Sequence, residues 1–403
     1  KVNKGPGPDG IHPRVLNELS AVIAKPLHII FQDSLRFGMV PRDWRIANVV
    51  PLFKKGSRSQ PENYRPVSLT SVVGKLLEGV IMDRIVECIA VHNTISLCQH
   101  GFMRNRSCQT NLVAFYEEVS RNLDAGMAVD VIYLDFAKAF DTVPHRRLMI
   151  KLRNIGLEHN ICQAASWISS YLFNHSFTVS YANKTSSPFL LMWVPQGSVL
   201  EPLLFLGDLI RSTDDIQIYF STPSLTDETE TQIFNCLLAI TNWMNQRHLK
   251  LNLTKTELII FQPKPGLTPT LFTISIDSTR INPVYSAGCL GVIFDSCLSF
   301  SDHINTTVKT CQFFLHNIAK IRPFLSTATA RLLIHALILS RLDYCNLLLT
   351  DLPNSHISPL QSILNTAARI LLLSSRRVQA LPLLNSLLWL IIKQRISYKL
   401  LLL

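Results

Sequence analysis

The feature that most constrains the fold is a short apolar run that ends in a charge. Val129–Leu134 is rich in β-branched residues and is typical of a buried strand, which ends at Asp135. A carboxylate at the end of a buried strand is costly unless something positive meets it, and a divalent cation is one such partner. The other interpretation of Asp135 is a cap for the following turn. The position therefore predicts either a metal ligand or a cap.

The hydrophobic period divides the chain into helical, mixed and again helical regions. Helical spacing predicts helices over Pro13–Phe37 and Ser71–Ala90, and a third that begins at the N-cap Ser107. Ser176–Tyr181 alternates as a strand does, and after His303 only helical patterns follow. Further elements are predicted as helices at 146–154 and 232–248 and as strands at 258–261 and 271–276.

Composition limits the class of protein. Hydrophobic residues make up 47% and charged residues 17% of the 403 residues, which indicates a large core rather than disorder. A net charge of +11 suits a polyanionic partner such as nucleic acid, although a basic surface that only aids solubility has the same charge. The chain begins at Lys1 without a signal-peptide pattern, and we expect a piece of a longer polypeptide.

The nine cysteines and the apolar C-terminus predict where the protein works. The cysteines form no CxxC pair, which indicates reduced thiols and an intracellular protein of the nucleus or cytoplasm rather than a secreted one. Leu381–Leu403 is very apolar, but Lys393, Arg395 and Lys399 interrupt it. It predicts a buried helix rather than a membrane span, so we expect no membrane partner.

A second carboxylate site lies downstream. Asp214 and Asp215 are adjacent, and such a pair repels itself unless a cation offsets the charge. Ile216, Ile218 and Phe220 then alternate as a strand that leaves a turn. An Asp-Asp pair at a hairpin tip, beside a strand that ends in Asp135, could hold two Mg²⁺ ions about 3.5–4 Å apart. Alone, such a pair is more often a solvated turn.

Four motifs in a fixed order resemble motifs A, B, C and D of reverse transcriptases. They are VIYLDFAKAFD (Val131–Asp141), VPQGSVL (Val194–Leu200), the pair Asp214–Asp215, and LKLNLTKTE (Leu249–Glu257). The likeness extends to the enzymes of non-LTR, LINE-type retrotransposons over nearly the whole chain. The further matching segments are KGPGPDGI (Lys4–Ile11), ENYRPVSL (Glu62–Leu69), QHGFMRNRS (Gln99–Ser107), CLGVIFDSCLSF (Cys289–Phe300), SRLDYCN (Ser340–Asn346), Leu360–Arg369 and Leu388–Leu402.

The resemblance implies an α+β right-hand polymerase with fingers, a palm built on an antiparallel sheet, and a helical thumb. It divides the chain into an N-terminal fingers extension (1–45), fingers and palm (46–295), and the thumb with the start of a C-terminal region (296–403). The implied activity is RNA-directed DNA synthesis, in which two Mg²⁺ ions, or Mn²⁺, assist transfer of dNTPs to a primer 3′-hydroxyl. The implied partners are an RNA template, a DNA primer and dNTPs, with no other small-molecule cofactor.

The resemblance also implies a role for individual residues. The metal-binding and catalytic carboxylates would be Asp135, Asp214 and Asp215, and Lys255 would donate a proton to pyrophosphate. The residues expected to bind the nucleotide are Lys54, Arg65, Phe140 (as the ring that excludes a 2′-hydroxyl), Gln196 and Gly197. Those expected to bind the template and primer are Arg104, Arg106, Leu290 and Gly291. Taken singly, each has a plainer interpretation as a surface cation, a core ring or a turn residue.

The sequence departs from the family where motif B leads to motif C. Glu201 stands where the family has Gly, and Thr213 precedes Asp214 where Ala is usual. Residues 198–213 alone connect the two motifs, whereas a helix, a connection and a strand need about 20 residues. We therefore expect a palm that is truncated between motifs B and C. Two interpretations stay open: a working polymerase, or a catalytically dead remnant that retains at most nucleic-acid binding.

Overall fold

The computed structural model of the protein describes residues 2, 4–91, 99–101, 103, 105–135, 145, 149–150, 159–173, 175–182, 184–190, 197–200, 215–222, 227–246, 251–263, 273–276 and 279–402. These residues belong to two compact units. The first unit consists of 1–104, 136–214 and 245–250, and the second of 105–135, 215–244 and 251–403.

Helices and strands follow one another in the predicted order. The described helices are α1 (Pro13–Glu18), α2 (Ser20–Phe37), α3 (Val72–Val91), α4 (Cys108–Asp124), α5 (His159–Leu172), α6 (Asp227–Gln246), α7 (Ser301–Ile321), α8 (Thr327–Ile334), α9 (Ser340–Leu342), α10 (Asn354–Leu371), α11 (Ala380–Ser386) and α12 (Ile392–Leu401). The described strands are β1 (Ile46–Phe53), β2 (Tyr64–Thr70), β3 (Ala128–Asp135), β4 (Ser176–Tyr181), β5 (Lys184–Thr185), β6 (Phe189–Leu190), β7 (Asp215–Thr222), β8 (Glu257–Phe261), β9 (Ile274–Ile276), β10 (Thr279–Ile281), β11 (Pro283–Val284), β12 (Ser286–Cys289) and β13 (Val292–Asp295).

One predicted helix is two helices in the structure. The pattern over Pro13–Phe37 predicted a single helix, but Leu19 has φ −95° and ψ 9° and separates α1 from α2. Apolar spacing alone does not predict such a break, because the residues on both sides of it follow the same helical period. The cap predicted at Ser107 is confirmed: its hydroxyl accepts from the Thr110 N–H, and Thr110 Oγ1 accepts from the Ser107 N–H.

A mixed sheet forms the framework of the first unit. Its strand order is β2-β1-β4-β5, with β6 paired to β4. β1 and β2 are antiparallel, whereas β1 and β4 are parallel. Ala47 and Val49 on β1 are buried, and the Trp167 indole N–H of α5 donates to the Ser34 hydroxyl of α2 at 2.8 Å. α2 and α5 are thereby joined by a buried hydrogen bond.

The second unit is built on a four-stranded sheet of order β11-β8-β3-β7. β3 lies inside this sheet and is antiparallel to both of its neighbours. Val129 and Val131 pack into one apolar cluster with α4 and the C-terminal helices, whereas Ile132 and Leu134 pack into another with Ile233 of α6. Both faces of β3 are therefore buried, as its β-branched sequence predicted.

The C-terminal region is helical from Ser301 onward, as the sequence predicted. Arg322, only 5% exposed, lies at the end of α7 and donates to the carbonyl oxygens of Ile370 and Leu371 at the end of α10, and to that of Leu325. A cation suits this position because the last carbonyl groups of a helix are unpaired and carry partial negative charge. A single guanidinium thus ties two long helices together.

The predicted α+β class is confirmed, with antiparallel and mixed sheets and with helices. Within the described part of the chain, no helix is long and apolar enough to cross a membrane. The helix predicted at 146–154 falls mainly outside the described residues. The connection between motifs B and C also lies mostly outside them, at 201–214, so its truncation stays a prediction.

Candidate active site

The strongest geometric feature of the candidate site is the register of β3 and β7. The two strands pair over their full length, and the Cα partner of Asp135 is Asp215. Directly opposed residues of an antiparallel pair have Cα atoms about 4.5–5.5 Å apart. The backbone therefore brings the aspartate of motif A beside the second aspartate of motif C. Asp214 itself lies outside the described residues.

This register bears on the predicted truncation between motifs B and C, because the length of that connection limits where the aspartate pair can lie. The strand that follows the pair occupies its place next to β3 along all eight residues. Among the described residues there is no cluster of three or more His, Cys, Asp or Glu side chains that could hold a metal ion. The described backbone thus agrees with the alignment of motifs A and C, and the metal ligands stay a prediction.

The β3 strand carries a second carboxylate that the sequence analysis did not single out. Asp130 is 1% exposed, and neither of its carboxyl oxygens has a hydrogen-bond partner among the described residues. Burial in this apolar surrounding raises its pKa from 3.8 to about 6. Its position within an otherwise apolar run was the available signal, because a charge in a strand that is buried on both faces must itself be buried.

Gly197 of motif B has a backbone that requires glycine. Its φ is +103°, and a Cβ at this position would lie 2.9 Å from the Ser68 carbonyl oxygen of β2. Residues with a side chain rarely adopt such a backbone φ, and 2.9 Å is too short for a contact between a carbon and an oxygen that are not bonded. The close approach of this segment to β2 explains the glycine in physical terms. Gln196, the residue before it, lies outside the described residues.

The segment after Gly197 is held by a buried carboxylate that the sequence analysis missed. Glu78 of α3 is 1% exposed, and its Oε2 accepts from the Ser198 hydroxyl at 2.7 Å, from the Val199 N–H at 2.7 Å and from the Leu200 N–H at 3.2 Å. Three donors on one oxygen compensate much of the cost of burying the charge. Glu78 therefore fixes the backbone of motif B to α3.

The predicted nucleotide-binding cations lie at one end of the first-unit sheet. Lys54 follows β1, and its N–H donates to the Asn63 carbonyl at 2.8 Å. Arg65 lies on β2 opposite Leu52. Both side chains are exposed. They are therefore accessible to solvent, as an anion-binding role requires, whereas Phe140 lies outside the described residues.

The predicted primer-binding pair forms a tight turn. Leu290 (φ +46°) and Gly291 (φ +83°) connect β12 and β13, and a two-residue hairpin with positive φ at both positions is the turn that suits strand twist. The Tyr344 hydroxyl donates to the Leu290 carbonyl at 2.6 Å. Tyr344, which the sequence analysis placed only within a thumb motif, therefore holds this turn. Its motif offered no signal of that contact.

A polar pocket of ≈ 360 Å³ adjoins the turn. It is lined by Gly291, Ile293, His303, Thr306, Thr307, Thr310, Ser340, Arg341 and Tyr344. Burial lowers the pKa of His303, so the imidazole is neutral at physiological pH. Arg341 supplies the positive charge of the pocket, and its guanidinium lies 5.1 Å from the Phe314 ring centre.

Lys255 and Arg106 are the further site residues that the structure describes. Lys255 precedes β8, and its N–H donates to the Asn252 carbonyl at 2.9 Å. Arg106 directly precedes the N-cap of α4, and Arg104 lies outside the described residues. The roles of Lys255 and Arg106 stay predictions.

Comparison with known proteins identifies the family. The family model for "Reverse transcriptase (RNA-dependent DNA polymerase)" matches residues 53–294. The chain is 26% identical over 351 residues to the "Probable RNA-directed DNA polymerase from transposon BS" of Drosophila melanogaster, which covers 82% of this chain and 38% of that protein. It is 27% identical over 344 residues to the "RNA-directed DNA polymerase from mobile element jockey" of the same organism, over 79% of this chain and 36% of that protein.

The chain thus spans less than two fifths of the length of these relatives. Among solved structures, it resembles the apo telomerase from Candida Tropicalis with a TM-score of 0.44 and 11% identity, over 90% of this chain and 63% of that one. The family match covers more than half of the chain and includes the segments that carry motifs A to D. The chain therefore belongs to the reverse transcriptase (RNA-dependent DNA polymerase) family, of the kind found in LINE-type retrotransposons.

Proposed function

We propose that this chain is the polymerase core of a retrotransposon reverse transcriptase and copies RNA into DNA. The observation that carries the proposal is the opposition of Asp135 and Asp215 in the β3–β7 register. The connection that precedes Asp215 is short, yet motifs A and C still meet at one end of the sheet. A chain that had lost this pairing could not bring two acidic positions together.

The acidic positions suit divalent metal ions. Asp135 and Asp215 would hold Mg²⁺, or Mn²⁺, together with Asp214, because carboxylate oxygens are the preferred ligands of these ions. When bound, such ions supply activation of the primer 3′-hydroxyl and stabilisation of the charge on the leaving pyrophosphate. Lys255 is the proposed proton donor to that pyrophosphate.

The other residues are proposed to bind and orient the substrates. Lys54 follows β1 and Arg65 lies on the neighbouring strand β2, and both side chains are exposed. They would contact the triphosphate of the dNTP. Phe140, Gln196 and Gly197 would line the nucleotide. The proposed contacts to the RNA template are Arg104 and Arg106, and those to the DNA primer are Leu290 and Gly291.

A primer-extension assay on poly(rA)/oligo(dT) with Mg²⁺ and labelled dTTP tests the proposal. Asp135→Asn should reduce incorporation to background, because it removes the charge and keeps the size. Asp130→Asn is the matched control: it removes a carboxylate from the same strand and should leave incorporation unchanged. Incorporation by the wild-type chain that survives Asp135→Asn would refute the assigned role of this residue.

The second candidate is a catalytically dead remnant, favoured by Glu201 and by the short connection of residues 198–213. A carboxylate at position 201 would face substrates that are themselves anionic. This candidate predicts a folded chain that binds the primer–template duplex and incorporates nothing. Restoring the residue usual in the family, with Glu201→Gly, should then not restore synthesis unless the connection is lengthened as well.

A further inference from the structure

Three aromatic residues, here called the aromatic row, lie together at one end of the first-unit sheet. Phe53 on β1 and Tyr64 on β2 are register partners, with ring centres 5.4 Å apart. Tyr181 at the end of β4 continues the row, 6.4 Å from Tyr64. Backbone pairing of β1 with β2 fixes Phe53 beside Tyr64, and β4, which carries Tyr181, lies on the other side of β1.

The aromatic row is open to solvent. Phe53 is 40% exposed and Tyr181 is 60% exposed. A sheet normally places rings of this size against the core, because each buries a large apolar area. Two largely uncovered rings next to a third form a surface that can bind another flat group without any rearrangement of the core.

The surroundings of the aromatic row are strongly basic. Three exposed cations lie on the β1–β2 loop or opposite Tyr181 in the β4–β5 register: Lys55, Arg58 and Lys184. Glu62 is the one acidic residue in the segments 46–70 and 176–190. None of the three cations has a carboxylate partner within the described part of the chain, so each is available to an anion in solution.

One of these cations is fixed against the row. The Arg58 guanidinium carbon lies 5.0 Å from the Phe53 ring centre, and the Tyr64 hydroxyl donates to the Arg58 carbonyl at 2.9 Å. The loop between β1 and β2 is thereby held beside the rings. A guanidinium plane on a ring is itself a surface on which a nucleobase can stack.

We propose that the aromatic row binds an unpaired single strand of RNA, with bases stacked on the rings and phosphates on the surrounding cations. The ligand must be a polyanion with flat, exposed apolar groups. Single-stranded nucleic acid has both properties, whereas a duplex hides its base faces. This inference deepens the proposed function. It rests on that function only where it identifies the bound RNA as the unpaired part of the template.

The experiment measures fluorescence anisotropy of a labelled homopolymeric RNA, and of an RNA–DNA duplex, over a range of salt concentrations. The row variants are Phe53→Thr, Tyr64→Thr and Tyr181→Thr, because Thr retains the preference for a strand. Each should weaken single-strand binding by about 5-fold to 150-fold, the range found for loss of one stacking ring, and leave duplex binding unchanged.

Two matched variants separate stacking from other effects. Phe189→Thr removes a ring that is 50% exposed on the same sheet but lies outside the row, and it should bind RNA like the wild type. Tyr64→Phe keeps the ring and loses the hydroxyl bond to the Arg58 carbonyl, so it should bind RNA more tightly than Tyr64→Thr does. Lys55→Gln and Lys184→Gln should instead lower the salt dependence, by about 0.7 in the log–log slope per lost phosphate contact.

The inference is overturned if the row variants bind single-stranded RNA as tightly as Phe189→Thr does, or if they weaken duplex binding to the same extent. If a row variant fails to fold by circular dichroism, Tyr181→Thr decides, since this ring is the most exposed of the three. If RNA binding depends on the rings but no primer extension occurs, the proposed polymerase activity is refuted and the proposed RNA binding by the aromatic row is retained. Primer extension with ring-independent binding would refute the aromatic row alone.

Discussion

Asp130→Asn should stabilise the protein in a way that depends on pH. Asp130 lies inside the second-unit sheet, between Phe220 of β7 and Ile260 of β8 in the strand register. The residue is 1% exposed, its carboxyl group has no hydrogen-bond partner in the described part of the chain, and burial raises its pKa from 3.8 to about 6. At neutral pH the folded protein therefore contains an ionised carboxylate in an apolar surrounding.

The sign follows from the direction of the shift. Below about pH 4 the carboxyl group is protonated in both the folded and the unfolded chain, so its ionisation does not lower the free energy of unfolding. Between about pH 4 and pH 6 the unfolded chain releases the proton while the folded chain retains it, so the free energy of unfolding falls. The full loss is reached above about pH 6. A shift of about 2 pKa units corresponds to about 3 kcal/mol, so Asp130→Asn should raise the free energy of unfolding by about that amount near pH 8.

Urea denaturation at a series of pH values measures this difference. The gain from Asp130→Asn should shrink on acidification and vanish near pH 4. Asp295→Asn is the matched control: Asp295 is also 1% exposed, but its carboxylate accepts from the N–H groups of Cys297 and Ser299, so its loss should destabilise the chain. An Asp130→Asn variant that is no more stable than wild type near pH 8, or whose gain does not change with pH, would refute the reasoning.

Four further changes test other contacts by the free energy of unfolding. Glu78→Gln should cost about 1–2 kcal/mol, because the donors of motif B lose a charged acceptor; an unchanged stability would contradict the assigned contact. Gly197→Ala should cost about 1–3 kcal/mol through its positive φ and close approach, whereas Gly79→Ala, in open space on α3, should gain up to about 1 kcal/mol. Tyr344→Phe should cost about 1 kcal/mol, and a neutral result would mean that water replaces its bond. Arg322→Met should cost about 3 kcal/mol by leaving buried carbonyls unpaired, with a cost under about 1 kcal/mol counting against it.

Local patterns predicted most of the elements because each pattern has a local cause. The strand at Ser176–Tyr181 and the cap at Ser107 depend on neighbours within a few residues. The family motifs supplied the order of the site segments, and the register of Asp135 with Asp215 agrees with that order. The break at Leu19 was not predictable, because both sides of it share one helical period.

Contacts between distant segments escaped the sequence analysis. Glu78 and the Ser198 hydroxyl are far apart in the chain, and nothing local distinguishes Glu78 from a solvated helix residue. The same holds for Tyr344, whose partner is the carbonyl of Leu290. The aromatic row also required the sheet order, since β4 lies beside β1 only through a parallel pairing that spacing does not reveal.

The two neighbouring residues Asp343 and Tyr344 connect parts of the second unit that are remote in sequence. Asp343 binds Arg395 of α12 at 2.7 Å, and the Lys399 ammonium donates to its carbonyl at 2.6 Å, while Tyr344 holds the β12–β13 turn. Loosening of α12 is therefore transmitted to the hairpin through the two neighbouring residues Asp343 and Tyr344. A frameshift or stop codon in the segment that encodes α12 would loosen a turn encoded more than a hundred codons upstream. Ageing copies of such an element can thus lose the hairpin geometry while every residue of the hairpin is still intact.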